Sequence, residues 1–146
     1  RYMDRLTVIS RGYNCATSDE VAIKIRELSG ILAESYSSAD FQHGPIAVVR
    51  TGYPVMVIAT RGPTAGDLNR LTRELRSRGA EIIAISDIDA ILKHARLALP
   101  VAQDVPEWLS PLVLVLPGQL FALRLTLDRN LNPDLPSGIS KVTRTF

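Results

Sequence analysis

Apolar residues in this chain fall into two rhythms that take turns. Residues 6–10, 54–59 and 81–86 are short aliphatic, β-branched runs bounded by turn residues, the pattern of buried strands. Residues 96–100 predict a fourth, edge-like strand. Between them the period lengthens. Leu68, Leu71 and Leu75 mark the inward stripe of a helix over 66–78, closed by Gly79. Val21, Ile25, Leu28 and Leu32 mark another, entered through Asn14 as cap or through a capping box from Thr17 to Glu20. Residues 35–45 are polar and turn-rich, 45–49 predict a helical turn, and 87–94 predict a short helix. Strands alternating with helices at this spacing imply parallel βαβ units, with right-handed crossovers placing helices on both faces. The predicted fold is α/β: three layers, α/β/α, around a doubly wound parallel sheet.

The longest helical region, 107–130, holds Pro111 near its start and Pro117 inside, and Pro117 predicts a kink or a break. Before Pro117 the segment is apolar all round, which predicts burial in the domain or against another subunit. Trp108 reads as core packing. From Leu131 onward, Pro133, Pro136 and Gly138 exclude regular structure. At 146 residues the chain has the size of one domain, and 46% hydrophobic content excludes wholesale disorder. A net charge of +2 gives no basis for a nucleic-acid surface. The apolar run 112–117 falls short of the ~20 residues of a bilayer span, and no apolar leader follows residues 1–5, so neither membrane nor export is expected. The single Cys15 excludes an internal disulfide and fits a reducing compartment. With no His or Asp motif nearby, it reads as a packed thiol. The chain starts without a methionine, which fits one domain of a longer protein.

Charge changes the picture on the first helix. Glu20, Lys24 and Glu27 repeat the rhythm of its apolar stripe one residue earlier, within a sector of roughly 60°. Ile23 and Gly30 occupy the far side, so the charges lie between two surfaces that can both be covered. On an exposed face, the Glu20–Lys24 pair contributes only a few tenths of a kcal/mol. At the lip of a cleft, the ammonium holds one carboxylate ionised while the other serves as a base. Glu20 has a second reading as a capping residue. Glu27 has none, which makes it the better candidate for chemistry. His43, followed by Gly44 and Pro45 in a defined turn, belongs to the residue type whose unperturbed pKa lies nearest working pH, although a lone loop histidine also reads as a solvated surface residue. Thr60 and Thr64, near a helix N-terminus, are candidates for holding an anion.

Three separated blocks carry a family resemblance. Glu20-Val-Ala-Ile-Lys24-Ile-Arg-Glu27, then Ala33-Glu34-Ser-Tyr-Ser-Ser-Ala-Asp40-Phe-Gln-His43-Gly44-Pro45, and finally Asn132-Pro-Asp134-Leu-Pro136-Ser-Gly-Ile-Ser-Lys141-Val-Thr143 together resemble one known domain. It is the second sugar-isomerase (SIS) domain of the glucosamine-6-phosphate synthase group, with its related phosphosugar isomerases and deaminases. The resemblance implies a flavodoxin-like SIS domain over residues 1–146, whose tail, 131–146, closes on the sugar. It also implies the C-terminal half of a longer two-SIS protein that interconverts fructose-6-phosphate and glucosamine-6-phosphate. In that frame Glu27 resembles the base at C1/C2, and Glu20 and Lys24 the surrounding charge network. His43 resembles the ring-opening group, which reaches a neighbouring subunit's site. Lys141 resembles the amine that engages the open-chain carbonyl, with Ser140 beside it in substrate binding.

The implied partners are the sugar phosphate, a partner SIS domain and a second subunit of a homodimer, in the cytoplasm, with no metal and no cofactor. The S-x-S-G-x-T phosphate loop of first SIS domains and a glutaminase segment are both absent from these residues. Ser38-Ala-Asp40-Phe41 departs from the Gly-Glu-Leu common in synthases and is closer to the glutaminase-free isomerases and deaminases. A phosphosugar-binding module that regulates without turnover is the alternative. A nucleotide binder is disfavoured, because no G-x-G-x-x-G follows the first strand.

Overall fold

The computed structural model describes residues 3–138. Among the described residues five strands form one parallel sheet: β1 (Arg5–Ser10), β2 (Leu32–Ser37), β3 (Pro54–Ala59), β4 (Glu81–Ser86) and β5 (Leu97–Pro100), in the order β2-β1-β3-β4-β5. This is the doubly wound order of flavodoxin-like sheets, with its switch point between β1 and β3. The helices are α1 (Asn14–Ser29), α2 (Ser38–Gln42), α3 (Ala65–Ser77), α4 (Asp89–Leu92) and α5 (Ser110–Asp128), with 3-10 turns at Pro45–Val48 and Glu107–Leu109.

Two cores fill the space above and below the sheet. On one face α1 and α5 pack Val21, Ile25, Leu114 and Ala122 against Val8 and Met56. On the other, Phe41 and the stripe of α3 cover Val57 and Ala84. Leu68, Leu71 and Leu75 are at most 1% exposed, and each such burial contributes on the order of 2 kcal/mol. Helices α1 and α5 approach closely because Gly118 has no side chain. A Cβ there would stand 2.3 Å from Val21 Cγ2.

Three sequence expectations change. The first concerns β2, which lies inside the stretch assigned to the end of the first helix and a polar loop. Gly30, left-handed at φ 69°, ends α1 before its stripe reaches Leu32, and residues 32–37 then pair along the whole of β1. On this edge strand Ala33 is buried while Leu32 and Glu34 are exposed, so it lacks the apolar run of its neighbours.

The second concerns the start of α1. Its first residue is Asn14, preceded by Tyr13 with no side-chain cap, so neither Asn14 nor a Thr17–Glu20 box caps it. Asn14 is buried instead, donating to Ser110 Oγ at 2.8 Å and to Thr60 Oγ1 at 3.4 Å, and accepting from Thr17. Glu20 is released from a capping role.

The third is α5. Of the kink or break expected at Pro117, the break does not occur: the helix continues, one donor short, because the turns on both sides bury Leu114, Gly118 and Ala122. The helical stretch Glu107–Asp128 is 22 residues of hydropathy 1.5, long and apolar enough by composition to cross a membrane, with 33% of that window buried. Trp108, read as core packing, is 64% exposed, and Leu112 and Leu116 are exposed as well.

Candidate functional site

Helix α1 carries Glu20, Lys24 and Glu27 on its outward flank because its inward stripe is committed to Val21, Ala22 and Ile25. Lys24 Nζ donates to Glu27 Oε2 at 2.7 Å and stands 4.0 Å from Glu20 Oε1. All three side chains are a little over one-third exposed. The hydrogen bond to Glu27 raises the Lys24 pKa above its ordinary value, partly opposed by desolvation and reinforced by the charges of Glu27 and Glu20. Lys24 is therefore a firmly held ammonium. Its nearer partner is Glu27, the residue expected to act as base, and Glu20 is the more distant one.

Glu27 borders a concavity of about 120 Å³. Its walls come from the end of α1, at Arg26, Leu28 and Gly30, and from the segment after α5, including Asn132, Leu135 and Pro136. That segment turns back because Leu131 N–H bonds Thr126 O and Asn132 Oδ1 accepts from Asp134 N–H. The described part of the tail thus lies against the carboxylate helix. Ser140 and Lys141 lie outside the described residues.

His43 stands elsewhere. It is exposed and follows α2, with its N–H on Asp40 O and Ser37 Oγ capping the helix start. Glu27 lies near the beginning of β2 and His43 just beyond its end. Six residues of strand separate the two by roughly 20 Å. Within one chain they do not form one site.

Thr60 and Thr64 flank the loop after β3 at the switch point, where open α/β sheets take anions. Thr60 is 8% exposed and its hydroxyl accepts from Asn14. The carboxylate of Glu107 lies over the same loop, since a Cβ on Gly62 would come within 2.8 Å of its Cδ. Asp87 accepts from the Arg61 N–H at 2.9 Å. This end of the sheet is polar, but its groups are largely paired with one another.

A second network there escaped the sequence reading. Ser38 Oγ donates to Asp67 Oδ2, Arg11 lies 3.7 Å from the same carboxylate, and Arg70 donates to Oδ1 at 2.7 Å. Burial works against ionisation of Asp67, but the bonds from Ser38 and Arg70 and the Arg11 charge hold its pKa below the ordinary value. These residues come from three separate elements, so no local motif announces them.

Among the described residues no group of three or more His, Cys, Asp or Glu has metal-binding geometry. A larger concavity, about 820 Å³, lies under the first residues of β3, β4 and β5, beside the Arg96–Glu81 ion pair. None of the motif residues lines it, so its size does not outweigh the chemistry gathered at Glu27.

Residues 2–129 match the family model described as "SIS domain". The glutamine–fructose-6-phosphate aminotransferase [isomerizing] of Methanothermobacter thermautotrophicus is 33% identical over 135 residues, which are 91% of this chain and 23% of that protein. Among solved structures, the C-terminal domain of glucosamine-fructose-6-phosphate aminotransferase from Francisella tularensis superposes with a TM-score of 0.81 at 21% identity, over 90% of this chain and 38% of that one. Glucosamine-6-phosphate deaminase from Thermotoga maritima gives 0.75 at 26% identity, over 95% and 40%. The chain spans less than a quarter of the length of the curated relatives it matches. With its five parallel strands in the doubly wound order and a family match across nearly all of its length, the chain belongs to the SIS domain family.

Proposed function

We propose that this domain is one half of an enzyme that isomerises or deaminates a six-carbon amino-sugar phosphate, interconverting fructose-6-phosphate plus ammonia and glucosamine-6-phosphate plus water. The observation that carries this reading is Glu27 beside a concavity, held by Lys24 at 2.7 Å and faced by the returning tail. Moving a carbonyl between C1 and C2 needs a base that removes a proton from one carbon and returns it to the other. Glu27 is assigned that role. The ammonium of Lys24 steadies negative charge on the enediol oxygen, and Glu20 keeps that ammonium in place. Ring opening is assigned to His43 of a neighbouring subunit, which its distance from Glu27 in one chain favours. Lys141 is assigned the imine with the open-chain carbonyl, with Ser140 beside it and the tail, 131–146, as the cover. Phosphate holding falls to Thr60 and Thr64 or to a partner SIS domain. The engaged hydroxyl of Thr60 favours the partner. A homodimer in the cytoplasm belongs to the same proposal.

The rival reading is a regulatory module that binds a phosphosugar without turnover. The Lys24–Glu27 bond favours it to the extent that an ammonium-bound carboxylate is a poorer base. Turnover of glucosamine-6-phosphate and fructose-6-phosphate by the full-length protein, with Glu27→Gln as control, separates the two. The enzyme reading requires turnover that the variant loses. Equal rates in both proteins remove Glu27 from the mechanism.

A further inference from the structure

Among the described residues the ring of His43 makes no hydrogen bond or ion pair. Its place is therefore set by its backbone, which follows directly from the five residues of α2. A helix that short does not sustain itself in water, so its direction comes from what tethers it. Phe41 is one tether, fully buried in the same core as Leu68 and Leu71 of α3. A single apolar anchor leaves one helical turn free to pivot.

The second tether is polar and lies one turn earlier. Ser38, the first residue of α2, is fully buried and donates its hydroxyl to Asp67 of α3. Its carbonyl accepts from Gln42 Nε2 at 2.7 Å, which closes the turn immediately before His43. This bond exceeds what satisfying a buried hydroxyl requires. A carboxylate acceptor makes it roughly twice as strong as a bond between neutral groups. Arg70 at 2.7 Å and Arg11 at 3.7 Å keep that acceptor charged, and Arg11 comes from the loop after β1. The carboxylate thus ties the start of α2 to two other segments of the fold.

We propose that Asp67, acting through Ser38, is the positioning residue of His43: it fixes the pivot of α2 and so where the imidazole is presented. The consequence for chemistry rests on the ring-opening role proposed above. Opening a furanose breaks the C2–O5 bond, gives O5 a proton and takes one from the anomeric hydroxyl. An imidazole aimed from another subunit must meet those oxygens, and a misplacement of about 1 Å costs roughly 100-fold. Asp67 acts on that step only by aiming the histidine.

Two readouts on the full-length protein test it, with Asp67→Ala and Ser38→Ala as variants. The first is amide hydrogen exchange. The His43 N–H, bonded to Asp40 O at 3.1 Å, is expected to exchange at least about 10-fold faster in both variants. The His94 N–H, bonded to Ile91 O at 3.0 Å, is the matched control and should not change. The second is turnover, with ammonium, of fructose-6-phosphate and of 5-deoxyfructose-6-phosphate, which has no O5 and stays open. The variants should lose roughly 10–100-fold in kcat on the first sugar, with KM within about twofold. On the open analogue they should match the parent, because no ring needs opening. Ser38→Ala removes the same bond by deleting one oxygen, and carries the test where Asp67→Ala does not fold. An unchanged His43 amide overturns the proposal, as does an equal loss on both sugars. A parent that turns over neither sugar fails the catalytic reading instead, and the exchange comparison still decides whether Asp67 holds His43.

Discussion

Lys24 Nζ is shared unequally between two carboxylates, at 2.7 Å from Glu27 and 4.0 Å from Glu20. The two partners lie one turn away on either side along α1, so a single rotation of the lysine side chain redistributes the charge. The proposed mechanism requires Lys24 to release Glu27 before that carboxylate accepts a proton from substrate carbon, and Glu20, at 4.0 Å, is the other carboxylate beside the ammonium. Glu20→Gln is therefore expected to lower kcat in the full-length protein while leaving the fold intact. Glu27→Gln is expected to cost the 10²–10⁴-fold typical of a lost general base. Steady-state kinetics of the two variants, side by side, checks the order of these effects. A larger loss in Glu20→Gln would reverse the assignment.

The same pair has a signature in alkali. A folded-state pKa raised above the ordinary value means that Lys24 stabilises the fold fully below its unfolded pKa, about 10.4, and loses that contribution as pH rises through the folded value. The pair is a third exposed, so the effect is small. Lys24→Met should melt slightly below the parent at neutral pH, and the gap should narrow in alkali. Thermal denaturation from pH 8 to 11 reads it.

Asp67 has the opposite sign. Its pKa is depressed, so its stabilising contribution is present above the unfolded value, near 3.9, and fades as pH falls through the folded one. Asp67→Asn is expected to be less stable than the parent at pH 7 and to converge with it in acid. Urea midpoints at pH 7 and pH 3 are the measurement. A constant difference between the two proteins would detach Asp67 from acid sensitivity.

Gly118 gives a prediction whose direction is diagnostic. In an ordinary helix interior Gly→Ala stabilises by about 1 kcal/mol. Here the added carbon would stand 2.3 Å from Val21 Cγ2, so Gly118→Ala is expected to destabilise by roughly 1–3 kcal/mol. Val21→Ala in the same chain should recover part of the loss. Urea unfolding of the two singles and the double closes the cycle. An increase in stability for Gly118→Ala alone would show that α1 and α5 are not in this contact.

His43 and Glu27, separated by the length of β2, lead to a mixing experiment. If each site takes its glutamate from one subunit and its histidine from another, Glu27→Gln and His43→Ala proteins are each inactive. Mixed after reversible dissociation in equal amounts, they should regain about a quarter of parental activity, because half the dimers are mixed and each restores one site of two. Activity that stays at zero places both residues in the same subunit's site.

Most of the scaffold follows from one-dimensional pattern. The β3 and β4 strands, the stripe of α3 and the edge position of β5 are written in runs and periods, because burial on both faces demands uninterrupted apolar residues and a half-buried helix demands a 3.6 period. Glu20, Lys24 and Glu27 were legible together for the same reason, since helical spacing alone puts them on one flank. What escaped was set by tertiary context. The edge strand β2 needs only one buried position in two, so its polar sequence resembles a loop until β1 supplies the pairing. Asn14 looked like a cap and became the buried link between Thr60 and Ser110, which lie 46 and 96 residues away. Trp108 reads as core from the sequence, and the apolar residues of α5 before Pro117 as buried in the domain or against another subunit, yet hydrophobicity along a sequence states only that a residue favours burial. Whether the domain itself or another body provides that burial depends on the surface left over after the helices have packed.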